Sequence, residues 1–216
     1  MALFTSAAQE SNAYPKLVSA METTDILRKY DEEGKVLLTI SLWKPKRELS
    51  LMAFPFCKAL KKPCKEIVGF QNAWDMELSK RYSVYATRFS EYIGDKISKK
   101  KYSCLYEITA HTIQYLLYNS VEAEQLDGVV FPSVWCDGQG MNICLKKEVV
   151  DECIDFQGAQ VQLLDKIKGE ATMFPVADSQ INSEGMLEWT LNRDFLKLLG
   201  SDGIQKLYRE GLLKII

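Results

Sequence analysis

The chain has 216 residues, of which 47% are hydrophobic, 26% charged and 11% aromatic, and its 27 Lys and Arg stand against 29 Asp and Glu for a formal charge of -2. A chain of this length and composition buries about 70% of its unfolded surface without a disulfide or metal staple, which excludes large-scale disorder. The balanced charge supplies no global field toward nucleic acid or anionic lipid, so neither a membrane nor, as a direct partner, a nucleic acid is expected.

Met1 is followed by ALFTSAAQESN, which lacks the basic start and apolar core of a signal peptide. No stretch approaches the roughly 18 apolar residues of a membrane span, and a cytoplasmic protein of one domain over residues 1–216 is the expectation. Six cysteines, Cys57, Cys64, Cys104, Cys136, Cys144 and Cys153, include no C-x-x-C pair and read as reduced core residues. The single histidine, His111, excludes multi-His zinc sites and H-E-x-x-H metalloproteases, and no metal is expected.

In chain order, residues 12–30 read as one helix or two short ones, and the acidic turn at 31–34 leads to a β-branched apolar run at 36–42, expected to be a buried strand. The polar break from Lys44 to Glu48 precedes a short strand at 49–54, and a basic loop punctuated by Pro63 follows at 58–65. Tyr82, Tyr85, Ala86, Phe89, Ile93 and Ile97 recur at spacings of three and four and predict an amphipathic helix over 81–97. A second helix is predicted over 103–118 from the stripe Leu105, Ile108, Thr112 and Leu116.

Residues 127–146 read as a hairpin, with one strand ending at Pro132, the turn Asp137-Gly138-Gln139-Gly140, and a returning strand at 141–145. Two more strands are expected at 161–167 and 171–176. Asn192 and Ser201 have the character of N-caps for two short helices ending at Gly200 and Gly211. The fold class is therefore α/β in the mixed, α+β sense.

The hairpin carries the chemistry. A strand ends at a hydroxyl, Ser133, and its partner begins with an amide, Asn142, so the two are near neighbours. Whether they share a face depends on register, and a polar hairpin tip is the plain alternative. Cys104 and His111, seven apart on one helix, lack the separate elements and third group of a Cys–His dyad. Ser133 is not in a G-x-S-x-G elbow, and no G-x-G-x-x-G is present. The lysines at 58–65 and 99–101 have no interleaved aromatics for stacking bases.

The order of a helix, then Asp127-Gly128-Val129-Val130-Phe131-Pro132-Ser133, a glycine-rich turn and Gly140-Met141-Asn142-Ile143 resembles the C-terminal half of RES domains, the NAD-consuming toxins of bacterial toxin–antitoxin pairs. Residues 39–51, TISLWKPKRELSL, are similar to the family's central pair of strands. The resemblance covers about 36–156, with 157–216 as a C-terminal extension. It implies an ADP-ribosyltransferase-like twisted mixed sheet with flanking helices. It also implies NAD as substrate, cleavage of the bond between nicotinamide and ribose, and an antitoxin protein as neutralising partner.

Carried over to this sequence, the resemblance makes Ser133 a catalytic and NAD-binding residue and Asn142 an NAD-binding one. The family's acid lies in a helix after a strand that reads like L-Y-x-S. Residues 3–6, LFTS, match that strand and make Glu10 the catalytic acid, with Glu22 as the competing choice and a solvated helix carboxylate as the plain alternative for either. RES domains also place an arginine and a tyrosine before this strand, where the present sequence has no room for them. Arg28, Arg47, Arg81 and Arg88 are candidates for the arginine's part, and spacing singles out none. A catalytically inactive RES-like binding module is the alternative to an enzyme.

Overall fold

The structure is a computed structural model that describes residues 2–5, 15–57, 60–81, 84–97 and 105–197, together with 200, 203 and 205. These residues form a mixed α+β fold whose contacts group into two units: Met1–Arg28 with Pro45–Ile154, and Lys29–Lys44 with Asp155–Ile216. No helix among the described residues is long and apolar enough to cross a membrane.

The first unit holds a four-stranded sheet of β1 (Ala2–Thr5), β3 (Leu51–Ala53), β4 (Gly128–Pro132) and β5 (Met141–Leu145), in the order β1-β5-β4-β3. β5 runs antiparallel to both neighbours, whereas β3 and β4 are parallel. Parallel neighbours require a long crossover. The chain supplies it with α3 (Lys65–Arg81), α4 (Val84–Ile97) and α5 (Leu105–Tyr118).

Both sheet faces are covered, which explains the unbroken apolar runs of the central strands. Val129, Phe131 and Cys144 pack with Phe54, with Ile93 of α4 and with Ile113 and Leu117 of α5. Opposite pleats put Val130, Met141 and Ile143 against Ile67 of α3. Leu145 meets Val149 of α6 (Lys147–Cys153). Gly94 lets α4 ride directly on the chain after β3, because a Cβ there would fall 1.7 Å from the Phe56 carbonyl oxygen.

The second unit is a sheet of β2 (Gly34–Pro45), β6 (Ile154–Ile167), β7 (Glu170–Ile181) and β8 (Leu187–Leu191), in the order β2-β6-β7-β8. β6 and β7 turn through Lys168 and Gly169, both at positive φ (50° and 82°), as the tight primed hairpin turn requires. The buried Leu164 anchors this sheet, and the Lys166 ammonium donates to the Lys29 carbonyl. Asn192 caps a helical turn at 193–197 by accepting from the amides of Asp194 and Phe195, as its sequence position predicts.

Several expectations shift. β2 is not buried: it is an edge strand, its residues alternate between half-buried and exposed, and Leu42 is 63% exposed. The predicted helix over 81–97 begins at Val84, with Arg81 ending α3 instead. α3, α6 and β8 have no counterpart in the sequence reading. The cap expected at Ser201 lies outside the described residues.

Candidate functional site

The site is assembled from the β4–β5 hairpin and the first helices, α1 (Pro15–Thr23) and α2 (Asp25–Arg28). Pro15 occupies the first position of α1, where its missing N–H costs nothing and its fixed φ suits the helix. Val18 and Ala20 are buried. Val18 meets Gly140 at the end of the hairpin's turn, where an added Cβ would stand 2.7 Å from a Val18 methyl. Glycine at 140 therefore sets how closely α1 approaches.

That approach delivers Glu22 to the hairpin. Ser133 donates its hydroxyl to Glu22 Oε1 at 2.6 Å, and Asn142 donates Nδ2 to the same oxygen at 3.1 Å. Phe131 pairs with Asn142 and Val129 with Cys144, so the pleat puts Ser133 and Asn142 on one face. Ser133 is fully buried and Asn142 is 5% exposed. The serine is fixed throughout: its amide donates to Gly140, its carbonyl accepts from Gly138, and its hydroxyl oxygen accepts from the Cys136 amide.

Two acceptor atoms of this group are open among the described residues. Glu22 Oε2 accepts no hydrogen bond, and Asn142 Oδ1 is buried with no partner. A buried carbonyl oxygen without a donor costs about 1–3 kcal/mol, so Asn142 Oδ1 can take a donor from water or from a ligand.

Glu22 also stands near the C-terminal end of α1, where the helix dipole disfavours a carboxylate. Arg28 offsets this by donating Nε to the Met21 carbonyl at 3.0 Å and Nη2 to the Glu22 carbonyl at 2.7 Å, which also satisfies two helix-end acceptors. Its guanidinium carbon lies 5.0 Å from the centre of the Trp135 ring. Arg28 and Trp135 thus bridge the helix that carries Glu22 and the turn that carries Ser133. Cys136 shares this turn; burial, with the Glu22 charge adding, pushes its thiol above the ordinary value, and its hydrogen bond with Ser133 opposes the shift. A neutral thiol is no nucleophile.

Of the residues singled out in the sequence, Ser133 and Asn142 are brought together. Glu10 lies outside the described residues, and the carboxylate between the two is that of Glu22. Among the candidate arginines, Arg28 is in the site, whereas Arg47 forms a two-pronged pair with Asp127 at 2.7 Å. Asp127 also accepts from the Ser50 amide, so the aspartate of the D-G motif ties the start of β4 to the chain entering β3. Arg88 is exposed on α4, as is His111 on α5, and Cys104 lies outside the described residues. No group of three or more metal-binding side chains occurs among the described residues. Sequence reasoning missed the part played by Cys136 and the stacking of Arg28 on Trp135, for which no spacing signal exists.

Compared with family models, with curated proteins and with solved structures, the chain has no significant match.

Proposed function

We propose that this protein binds NAD and cleaves its nicotinamide–ribose bond, as its resemblance to RES domains implies. The observation that carries the reading is the pair of open acceptors, Glu22 Oε2 and the buried Asn142 Oδ1, beside a carboxylate oxygen already fixed by Ser133. A ribose offers two adjacent hydroxyl donors for such acceptors.

The chemistry suits the residue set. The C–N bond breaks with its electron pair going to the pyridinium nitrogen, so nicotinamide leaves neutral and no general acid is needed. Positive charge then develops on the ribose, and the Glu22 carboxylate stabilises it while a hydrogen bond to the neighbouring hydroxyl strengthens. Ser133 and Asn142 hold the carboxylate in place. An oxygen of water or phosphate then bonds to the ribose carbon, and the proton released passes to solvent. Such an activity depletes host NAD, which is the reason for a neutralising antitoxin partner in this reading.

The test is nicotinamide release from NAD by the purified protein, with and without phosphate. Glu22→Gln and Ser133→Ala are expected to lower release by about 10²- to 10³-fold with the fold retained. A folded wild type that neither releases nicotinamide nor binds NAD would overturn this function and leave the binding module, with the Glu22 bonds serving only to fasten α1 to the hairpin.

A further inference from the structure

Helices α1 and α2 meet the turn between β4 and β5 at two points, and Glu22 lies between them. At one, Val18 packs on Gly140, and Glu22 follows one turn later on the same side of α1. At the other, the Arg28 guanidinium lies over the Trp135 ring. A helix held at Val18 alone is free to roll about its axis, and a roll swings the Glu22 carboxylate past Ser133. The second point stops the roll.

The bonds of Arg28 are spent on the chain itself. Nε donates to the Met21 carbonyl at 3.0 Å, Nη2 donates to the Glu22 carbonyl at 2.7 Å, and Nη1 lies 3.6 Å from the Asp25 carboxylate. One face of the guanidinium is covered by Trp135, and the side chain is 15% exposed. These partners fix the backbone from which the Glu22 side chain departs, and they tie it to the turn in which Ser133 donates to Glu22 Oε1.

We propose that Arg28 is a positioning residue for Glu22, holding its carboxylate on Ser133 through the carbonyls of Met21 and Glu22 and through the Trp135 ring. This rests on the reaction proposed above for Glu22. The carboxylate acts where positive charge develops, so misplacing it lowers kcat and leaves KM, whereas a residue that gripped NAD itself would show in KM.

Steady-state nicotinamide release by the full chain tests this. Arg28→Met is expected to lower kcat about 10- to 100-fold, with KM for NAD within about threefold of the wild type. Arg28→Lys should fall nearly as far, because one ammonium cannot bridge two carbonyls and lie flat on the ring. Trp135→Ala should also lower kcat, and Trp135→Phe should recover most of the loss. In a Glu22→Gln background, Arg28→Met should add less than about twofold, since its effect passes through the carboxylate. Circular dichroism checks that each variant folds. A loss confined to KM, a wild-type kcat in Arg28→Lys, or losses that multiply in the double variant would overturn the proposal. If the wild type releases no nicotinamide, the proposed reaction fails and urea unfolding decides the positioning role. The midpoint shift caused by Ser133→Ala should then shrink by at least about half in an Arg28→Met chain, and equal shifts would overturn it.

Discussion

β4 and β5 are joined through residues 133–140, whereas β6 and β7 are joined by Lys168 and Gly169 alone. The short connection closes with two positive φ angles and lets its strands run on for 14 and 12 residues. The long one folds back on itself, with Gly138 donating to the Ser133 carbonyl and Gln139 to that of Cys136. That internal bonding satisfies the turn's backbone while the Ser133 hydroxyl reaches Glu22 of α1 and the Trp135 ring meets Arg28 of α2. A tight turn serves the sheet, and a wide turn with its own hydrogen bonds serves a site.

The largest effect expected from breaking this contrast is in the wide turn, where Ser133→Ala or Glu22→Gln removes about 10²- to 10³-fold of nicotinamide release. Next is Gly140→Ala, whose Cβ would press on Val18; it should cost about 1–3 kcal/mol in a urea titration and lower release. Val18→Ala in the same chain should recover much of both, because it removes the colliding methyls. A double variant no better than the single one would place the fault in the turn rather than in the approach of α1.

How much of this was legible without the structure follows from the same residues. The hairpin arithmetic was enough to bring Ser133 near Asn142, since it needs only a strand end, a turn and a return. The meeting of Glu22 with Ser133 and Asn142 was not legible, because it depends on where α1 lies on the hairpin, and a contact between Val18 and Gly140 sets that. α3 is hard to read from the sequence because the stripe it buries or half-buries among the described side chains, Ile67, Gln71 and Trp74, has a glutamine in its middle. An apolar β-branched run does not distinguish a central strand from an edge, which is why the sequence predicts a buried strand where β2 is half-exposed.

A smaller effect separates the base of the hairpin from its tip. The Arg47 guanidinium beside Asp127, helped by the Ser50 amide, holds the Asp127 carboxyl below its ordinary value. A carboxyl depressed in the folded state contributes stability that is full above its unfolded value, near 4, and is lost as the pH falls through the folded value. Asp127→Asn should therefore be less stable than the wild type at pH 7, and the gap should close on acidification below about pH 4. A gap that persists at low pH would mean that Asp127 acts through packing instead. The smallest effect belongs to the tight turn: Gly169→Ala places a Cβ at a φ of 82° and should cost about 1 kcal/mol in thermal unfolding.

The raised thiol of Cys136 has one further consequence. Peroxide and alkylating reagents attack the thiolate, and burial together with the Glu22 carboxylate keeps that form scarce. The Cys136 amide is bonded to the Ser133 hydroxyl, yet the thiol beside it is kept protonated, first by burial and then by the Glu22 charge. Slow alkylation of Cys136 by iodoacetamide while the chain is folded, and fast alkylation once it is unfolded, is the expected consequence.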